Sequence, residues 1–242
     1  MNKTIAFETI NDKKIFLILS EPDQPQKKIV IMSHGFRGTS TGQARTFVNF
    51  TNQLTKEGFS TLRFDQPNCG NSDGDYIDVS FREWVQTIVS FANTYNAKGY
   101  KVALLGQSMG ATASIIATHQ EELKSKIPCV LLWVPDPESD SNFREDTIAE
   151  EGGEKYNTSF WKEAKEMHFL TSLDAYNGGI HLVYGEKDKY VSEELRTMTI
   201  HKVKNKNQDV MILKGQDHSP WEYDIAQTVF EKEITFLKKY LL

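Results

Sequence analysis

The sequence predicts an α/β fold: a mostly parallel, eight-stranded sheet with helices on both faces. Three observations predict it. Six short runs rich in β-branched and large apolar residues recur along the chain, and runs of that kind form strands buried on both faces. Segments with helical spacing separate them, which implies crossover connections. Two further apolar stretches at the start, "TIAFETI" and "KIFLIL", flank Asn11-Asp12 and read as a hairpin at a sheet edge. The 242 residues, 39% hydrophobic and 25% charged, are enough for one core without staples.

The six buried-strand candidates are "KIVIMS" (28–33), "STLRF" (60–64), "KVALLG" (101–106), "CVLLWV" (129–134), "GIHLVY" (179–184) and "DVMILK" (209–214). Between the second and third, Phe81, Trp84, Val85, Ile88, Val89 and Ala92 form one apolar helical stripe. Ser80 and Glu83 before it have the spacing of a capping box, in which each side chain satisfies an orphan backbone N–H. The last helix is expected to open the same way on Ser219-Pro220-Trp221-Glu222, with Pro220 at its first position.

The alternation stops between Pro135 and Gly178. "PDPESDSNFREDTIAEEGGEK" is polar and acidic, and "TSFWKEAKEMHFLTSL" reads as one amphipathic helix with Phe160, Trp161, Ala164, Met167 and His168 on one side. The expected organisation is therefore a core of residues 1–134 and 179–242 carrying a 135–178 insertion, and such insertions at the site end of a sheet are often lids.

Composition narrows the function. A net charge of −5 argues against a nucleic-acid partner, which needs a basic face. No apolar run approaches the length of a membrane span, and "MNKTIAFETINDKK" lacks the apolar region of a secretory signal. Cys69 and Cys129 do not resemble a disulfide framework, and neither has metal-ligand neighbours. The expectation is a soluble, reduced, cytoplasmic protein with no metal.

The chemistry centres on "KVALLGQSMGATAS". Gly-Gln-Ser-Met-Gly alone leaves Ser108 either a helix cap or a nucleophile. The strand before and the helix after it supply the setting of a nucleophile elbow, where flanking glycines let the chain pass a strained serine. A hydroxyl needs a base oriented by an acid. Asp188 in "YGEKDKYV" and His218 in "KGQDHSPW" follow later strands in the order Ser, Asp, His, with Glu186 and Asp136 as other acids. Among the other histidines, His181 lies within a strand, His119 and His201 within helices, and His168 in the insertion. "IVIMSHGFRG" supplies a second strand-end loop, so the backbone N–H groups of Phe36 and Met109 are the expected oxyanion donors.

In order and spacing, "SHGF", "RFDQPNCGNSDG", "GQSMG", "YGEKD" and "GQDHS" resemble the α/β-hydrolase superfamily. They are most similar to small bacterial carboxylesterases of the cinnamoyl/feruloyl esterase kind and to serine-aminopeptidase-like and monoacylglycerol-lipase-like hydrolases. The resemblance spans essentially the whole chain. It implies Ser108, Asp188 and His218 as triad, Phe36 and Met109 as oxyanion donors, no cofactor, and a lid that in feruloyl esterases helps bind the aromatic acyl group. One departure is Asn68-Cys69-Gly70-Asn71-Ser72, where the family usually has G-x-G-x-S; Asn tolerates the positive φ of such a turn.

The insertion holds eight acidic residues against Arg144 and Lys155 between Asp136 and Lys155, a local net charge of −6. They read either as a solvated flap or as groups that repel anionic substrates or hold an amine. Phe143, Tyr156, Phe160 and Trp161 suggest an apolar acyl pocket or packing on the core, and Arg37 is either solvated or a contact to an anionic substrate group. The expected function is a serine carboxylesterase, monomer or homodimer, acting on small to medium acyl or aromatic esters. The alternatives are an aminopeptidase gripping an N-terminal amine with Asp136 or Glu138, or a non-catalytic binding protein on the same fold.

Overall fold

Asn11 and Asp12 both adopt left-handed backbone, φ 48° and 64°. A two-residue hairpin turn needs this for its twist to match that of the strands. They join β1 (Asn2–Ile10) to β2 (Lys13–Glu21) with Ile10 opposite Lys13. The computed structural model describes residues 1–137 and 147–242. From β2 the chain alternates β3 (Lys28–Ser33), α1 (Thr46–Lys56), β4 (Ser60–Phe64), α2 (Phe81–Ala97), β5 (Lys101–Gln107), α3 (Met109–His119) and β6 (Cys129–Trp133). An inserted hairpin, β7 (Ile148–Glu151) and β8 (Glu154–Asn157), leads to α4 (Ser159–Glu166) and α5 (Phe169–Ala175). β9 (Gly179–Gly185), α6 (Glu193–Asn205), β10 (Asp209–Leu213) and α7 (Tyr223–Leu241) complete the chain.

The main sheet has eight strands in the order β1-β2-β4-β3-β5-β6-β9-β10. β1 and β2 pair antiparallel, as do β2 and β4; every pair from β4 to β10 is parallel. β3, β4, β6 and β9 are buried at every residue, which is why each reads as a continuous apolar run. The β3-to-β4 crossover runs one way along the sheet and the β4-to-β5 crossover the other, so right-handed connections put α1 on one face and α2 on the other. α7 packs with α1, while α2, α3, α5 and α6 form a chain of contacts across the opposite face. Because β4 and β5 flank β3 on opposite sides, the loops leaving β3 and β5 diverge and open a crevice at their carboxyl ends.

Two local expectations need correction. Ser80 Oγ accepts the Glu83 amide at 3.3 Å, but the Glu83 carboxylate takes Lys13 Nζ at 2.6 Å instead of returning to Ser80. The Ser80 hydroxyl donates to Glu163 Oε2, tying the start of α2 to α4. The last helix begins at Tyr223, not at Pro220. Residues 216–222 fold back on themselves, with the Glu222 amide on Gln216 Oε1 and Trp221 Nε1 on the His218 carbonyl.

The described part of the insertion also differs from expectation: the single helix is two, α4 and α5, behind a hairpin. Gly152 and Gly153, φ 62° and 86°, turn the β7–β8 hairpin, a Gly-Gly signal legible in "EEGGEK". His168, φ 53°, breaks the helix in two and is exposed. Glu138, Asp140, Phe143, Arg144, Glu145 and Asp146 lie outside the described residues. Among the described residues no helix is long and apolar enough to cross a membrane. Cys69 and Cys129 are buried free thiols, and burial raises the pKa of both.

Candidate active site

Ser108 joins β5 to α3 at φ 54°, ψ −125°, a conformation L-residues rarely adopt. Such strain costs on the order of 1–3 kcal/mol and persists only where surroundings over-determine it. Here its amide donates to the Trp133 carbonyl at 2.8 Å, and its carbonyl accepts from the Ala111 and Thr112 amides. The glycines two residues away are steric necessities. A Cβ on Gly106 would lie 2.2 Å from the Gly110 carbonyl oxygen, and one on Gly110 2.2 Å from that of Ser33.

Asp188 and His218 come together at the same end of the sheet. His218 Nδ1 lies 2.7 Å from Asp188 Oδ2, with both residues buried. Asp188 Oδ1 accepts the amides of Tyr190 and Val191 at 2.9 and 3.0 Å, so both carboxylate oxygens have donors. A carboxylate only accepts, so Nδ1 carries the proton and Nε2 of the neutral ring is left as acceptor. The other candidate acids are elsewhere: Glu186 accepts the Gly215 amide, and the half-buried Asp136 accepts Thr112 Oγ1 on its backbone carbonyl.

β10 is three strands from β5, and aromatic packing brings its loop back. Trp221, bonded to the His218 carbonyl, lies 5.3 Å from the Trp133 ring, centroid to centroid. Trp133 in turn holds the Ser108 amide. Gly185 leaves room for the passing loop, since a Cβ there would meet the Asp217 carbonyl oxygen at 2.2 Å. The Asp217 carboxyl is held below its usual range, first by the His218 amide and then by Lys189. The exposed Tyr190 ring stands 5.1 Å from the imidazole.

The remaining histidines are spent or remote. His34 is buried; its Nε2 accepts the Gln66 amide at 2.9 Å, so the proton sits on Nδ1 and is donated to the Gly35 carbonyl. Burial holds its pKa below the ordinary value. His181 pairs with Glu233 inside the core, and His119, His168 and His201 are exposed.

Gly35 brings the loop after β3 against the serine: a Cβ there would be 2.9 Å from Ser108 Cβ. Among the described residues, no acceptor takes the amide of Phe36 or of Met109. The Phe36 ring is ringed by Trp161, Tyr156, Phe160 and Tyr76 at centroid distances of 4.7, 4.8, 5.0 and 5.5 Å. Phe160, expected to touch substrate, is fully buried among Phe36, Phe81 and Trp84; Trp161 is half-buried on Phe36. Arg37, expected to meet an anionic group, has its guanidinium on Glu151 at 2.6 Å. Asn68 does adopt positive φ, 66°, and its side chain takes Lys13 Nζ and gives to the Asp75 carbonyl. Tyr76, Gln66, Trp133 and Trp221 carry no motif, and only folding reveals their part in the site.

This sheet order, the strained serine after β5 and the His218–Asp188 pair after the last two strands define the α/β-hydrolase fold. A family model described as serine aminopeptidase, S33, matches residues 24–132, from just before β3 to the end of β6. No curated protein matches the chain significantly. Similar solved structures cover nearly all of it. Ferulic acid-bound Est1E from Butyrivibrio proteoclasticus has a TM-score of 0.83 at 21% identity, over 97% of this chain and 98% of that one. The α/β hydrolase GrgF from Penicillium sp. sh18 has 0.82 at 16%, over 100% and 99%. The monoacylglycerol lipase from Paleococcus ferrophilus has 0.73 at 17%, over 93% and 99%.

Proposed function

We propose that the protein is a serine hydrolase that cleaves carboxylic esters of small to medium acyl or aromatic acids. The observation that carries the reading is the buried Asp188–His218 hydrogen bond of 2.7 Å at the sheet end that also bears the strained Ser108. Ser108 Oγ attacks the ester carbonyl carbon while its proton passes to His218 Nε2. Asp188 fixes the tautomer and stabilises the imidazolium. The amides of Phe36 and Met109 receive the tetrahedral oxyanion, each such donor being worth about 10²–10³ in rate. Collapse breaks the bond to the leaving alkoxide, which takes the proton from His218. Water then repeats the sequence on the acyl-enzyme, and no metal or cofactor takes part in these steps.

The esterase reading draws support from neighbours such as ferulic acid-bound Est1E and the monoacylglycerol lipase. The 135–178 insertion is read as a lid, because its aromatic residues pack on the loop after β3 beside Ser108. Ser108→Ala is expected to lower p-nitrophenyl butyrate hydrolysis by at least about 10⁴-fold with an unchanged circular dichroism spectrum. Retained activity in the purified variant overturns the assignment.

A peptidase reading is favoured by one observation, the serine aminopeptidase description of the matching family model. Asp136, at the end of β6, is then the described acid that meets a substrate amine. Turnover of aminoacyl arylamides above that of simple esters, lost in Asp136→Asn, decides for it.

A further inference from the structure

We propose that Arg37 is a positioning residue that couples the inserted hairpin to the Phe36 amide through Glu151. The inference rests on the serine-hydrolase reading, in which that amide is an oxyanion donor. The direction of the Phe36 N–H is set by the Gly35–Phe36 peptide plane, and that plane is held from two sides. Beneath, the Gly35 carbonyl accepts His34 Nδ1 at 2.8 Å and the Gly38 amide at 2.9 Å. Above, the Phe36 ring sits among Tyr156, Phe160 and Trp161 of the insertion, with Tyr76 beside them.

Arg37 completes the upper side. It holds positive φ, 56°, which disfavours a long side chain unless neighbours impose it. Its amide donates to Tyr76 Oη at 3.0 Å, and its Nη2 reaches Glu151 Oε1 at 2.6 Å. The guanidinium lies against the hairpin turn. A Cβ on Gly152 would lie 2.0 Å from Arg37 Nη1, so the turn glycine serves the contact as well as the bend. When the hairpin lifts, Phe36 loses the Tyr156 ring and Arg37 its carboxylate together, and the Gly35–Phe36 peptide keeps only the restraint beneath it. The aim of the donor is therefore sharpest when the hairpin is seated, which ties acylation to closure.

Both partners remain partly exposed, with side-chain exposures of 32% and 46%. An ion pair in that setting contributes little to folding stability. Its loss should thus appear in the chemical step and not in the melting temperature. The test compares wild type with Arg37→Ala, Arg37→Lys, Glu151→Gln, Gly152→Ala and the charge-reversed pair Arg37→Glu with Glu151→Arg. The readouts are the rate of fluorophosphonate labelling at Ser108, kcat and KM for p-nitrophenyl butyrate, and Tm.

Arg37→Ala, Glu151→Gln and Gly152→Ala are each expected to lower labelling and kcat about tenfold, less than the loss of a whole donor. KM should stay within about twofold and Tm within about 2 °C. Arg37→Lys and the reversed pair should recover a large part of the loss. Unchanged rates in all variants overturn the proposal. So does a loss in Arg37→Ala that Glu151→Gln does not share, or a rise in KM at constant kcat, since Arg37 then acts on substrate directly. A wild-type Ser108 that neither labels nor turns over ester overturns the hydrolase reading and this coupling with it. Labelling of wild type and variants at one rate overturns the coupling alone.

Discussion

Among the described residues, two buried histidine–carboxylate pairs stand out, His218 with Asp188 and His181 with Glu233, and their surroundings differ. Asp188 has donors on both oxygens, and its histidine sits in a loop at the rim of the sheet. Glu233 is fully buried in α7; its Oε1 accepts Trp133 Nε1 at 2.6 Å and His181 Nδ1 at 3.1 Å, while Oε2 has no partner among the described residues. Burial pushes the Glu233 carboxyl above the ordinary range, against the pull of His181 and Trp133. The His181 ring packs on Phe236, away from the carboxyl ends of the strands. The same two chemical groups thus make a candidate proton acceptor at the rim and a structural tie in the core. Each ring bonds its carboxylate through Nδ1 and leaves Nε2 over; what separates the pairs is where that nitrogen lies.

Substitutions at the two histidines test that separation most sharply. His218→Ala is expected to reduce kcat for p-nitrophenyl esters by at least about 10⁴-fold with little change in urea stability. His181→Ala should do the reverse: kcat within about threefold of wild type, and a loss of about 3 kcal/mol in urea denaturation from the cavity and the orphaned carboxylate. Equal kinetic losses in the two variants would remove the distinction. Asp188→Asn comes next, with a loss of about 10⁴ in kcat as the tautomer reverses, read by the same ester assay.

The effect at Glu233 is smaller and depends on pH. Its raised pKa means that the folded state binds this proton more tightly than the unfolded chain does. Its contribution to stability is therefore present at low pH and falls as pH rises from the ordinary carboxylate range through the folded value. Glu233→Gln removes this dependence while keeping an acceptor for Trp133 and His181. Urea midpoints measured near about pH 4.5 and pH 8 should show the variant gaining on wild type at the higher pH. A gap between the two proteins that is the same at both pH values contradicts the assignment.

Much of the architecture was legible because it depends on local pattern. All six strands lie within one residue of the apolar runs that predict them, and five are buried because both faces of a central strand demand apolar side chains. The sixth, β10, expected to be buried, is the edge strand and buries only Leu213. The Asn11-Asp12 turn and the Ser108 elbow follow from the backbone preferences of a few residues. Where expectation failed, a long-range partner won. Glu83 left its capping box for Lys13, from the strand hairpin, and Ser219 lies in a loop drawn back by Trp221 on Trp133. Phe160 and Trp161, for which an acyl pocket and packing on the core were both open, pack on Phe36, and Arg37 pairs with Glu151.

The sequence by itself determined the fold class, the order Ser108, Asp188, His218 and the loops that carry them, because periodicity, turn chemistry and chain order are properties of neighbours. Tertiary structure alone decided which acid meets His218, which nitrogen of His34 is protonated, and what the insertion's aromatic residues touch. Those outcomes depend on distances of a few ångströms between segments far apart in the chain, and no local pattern encodes them.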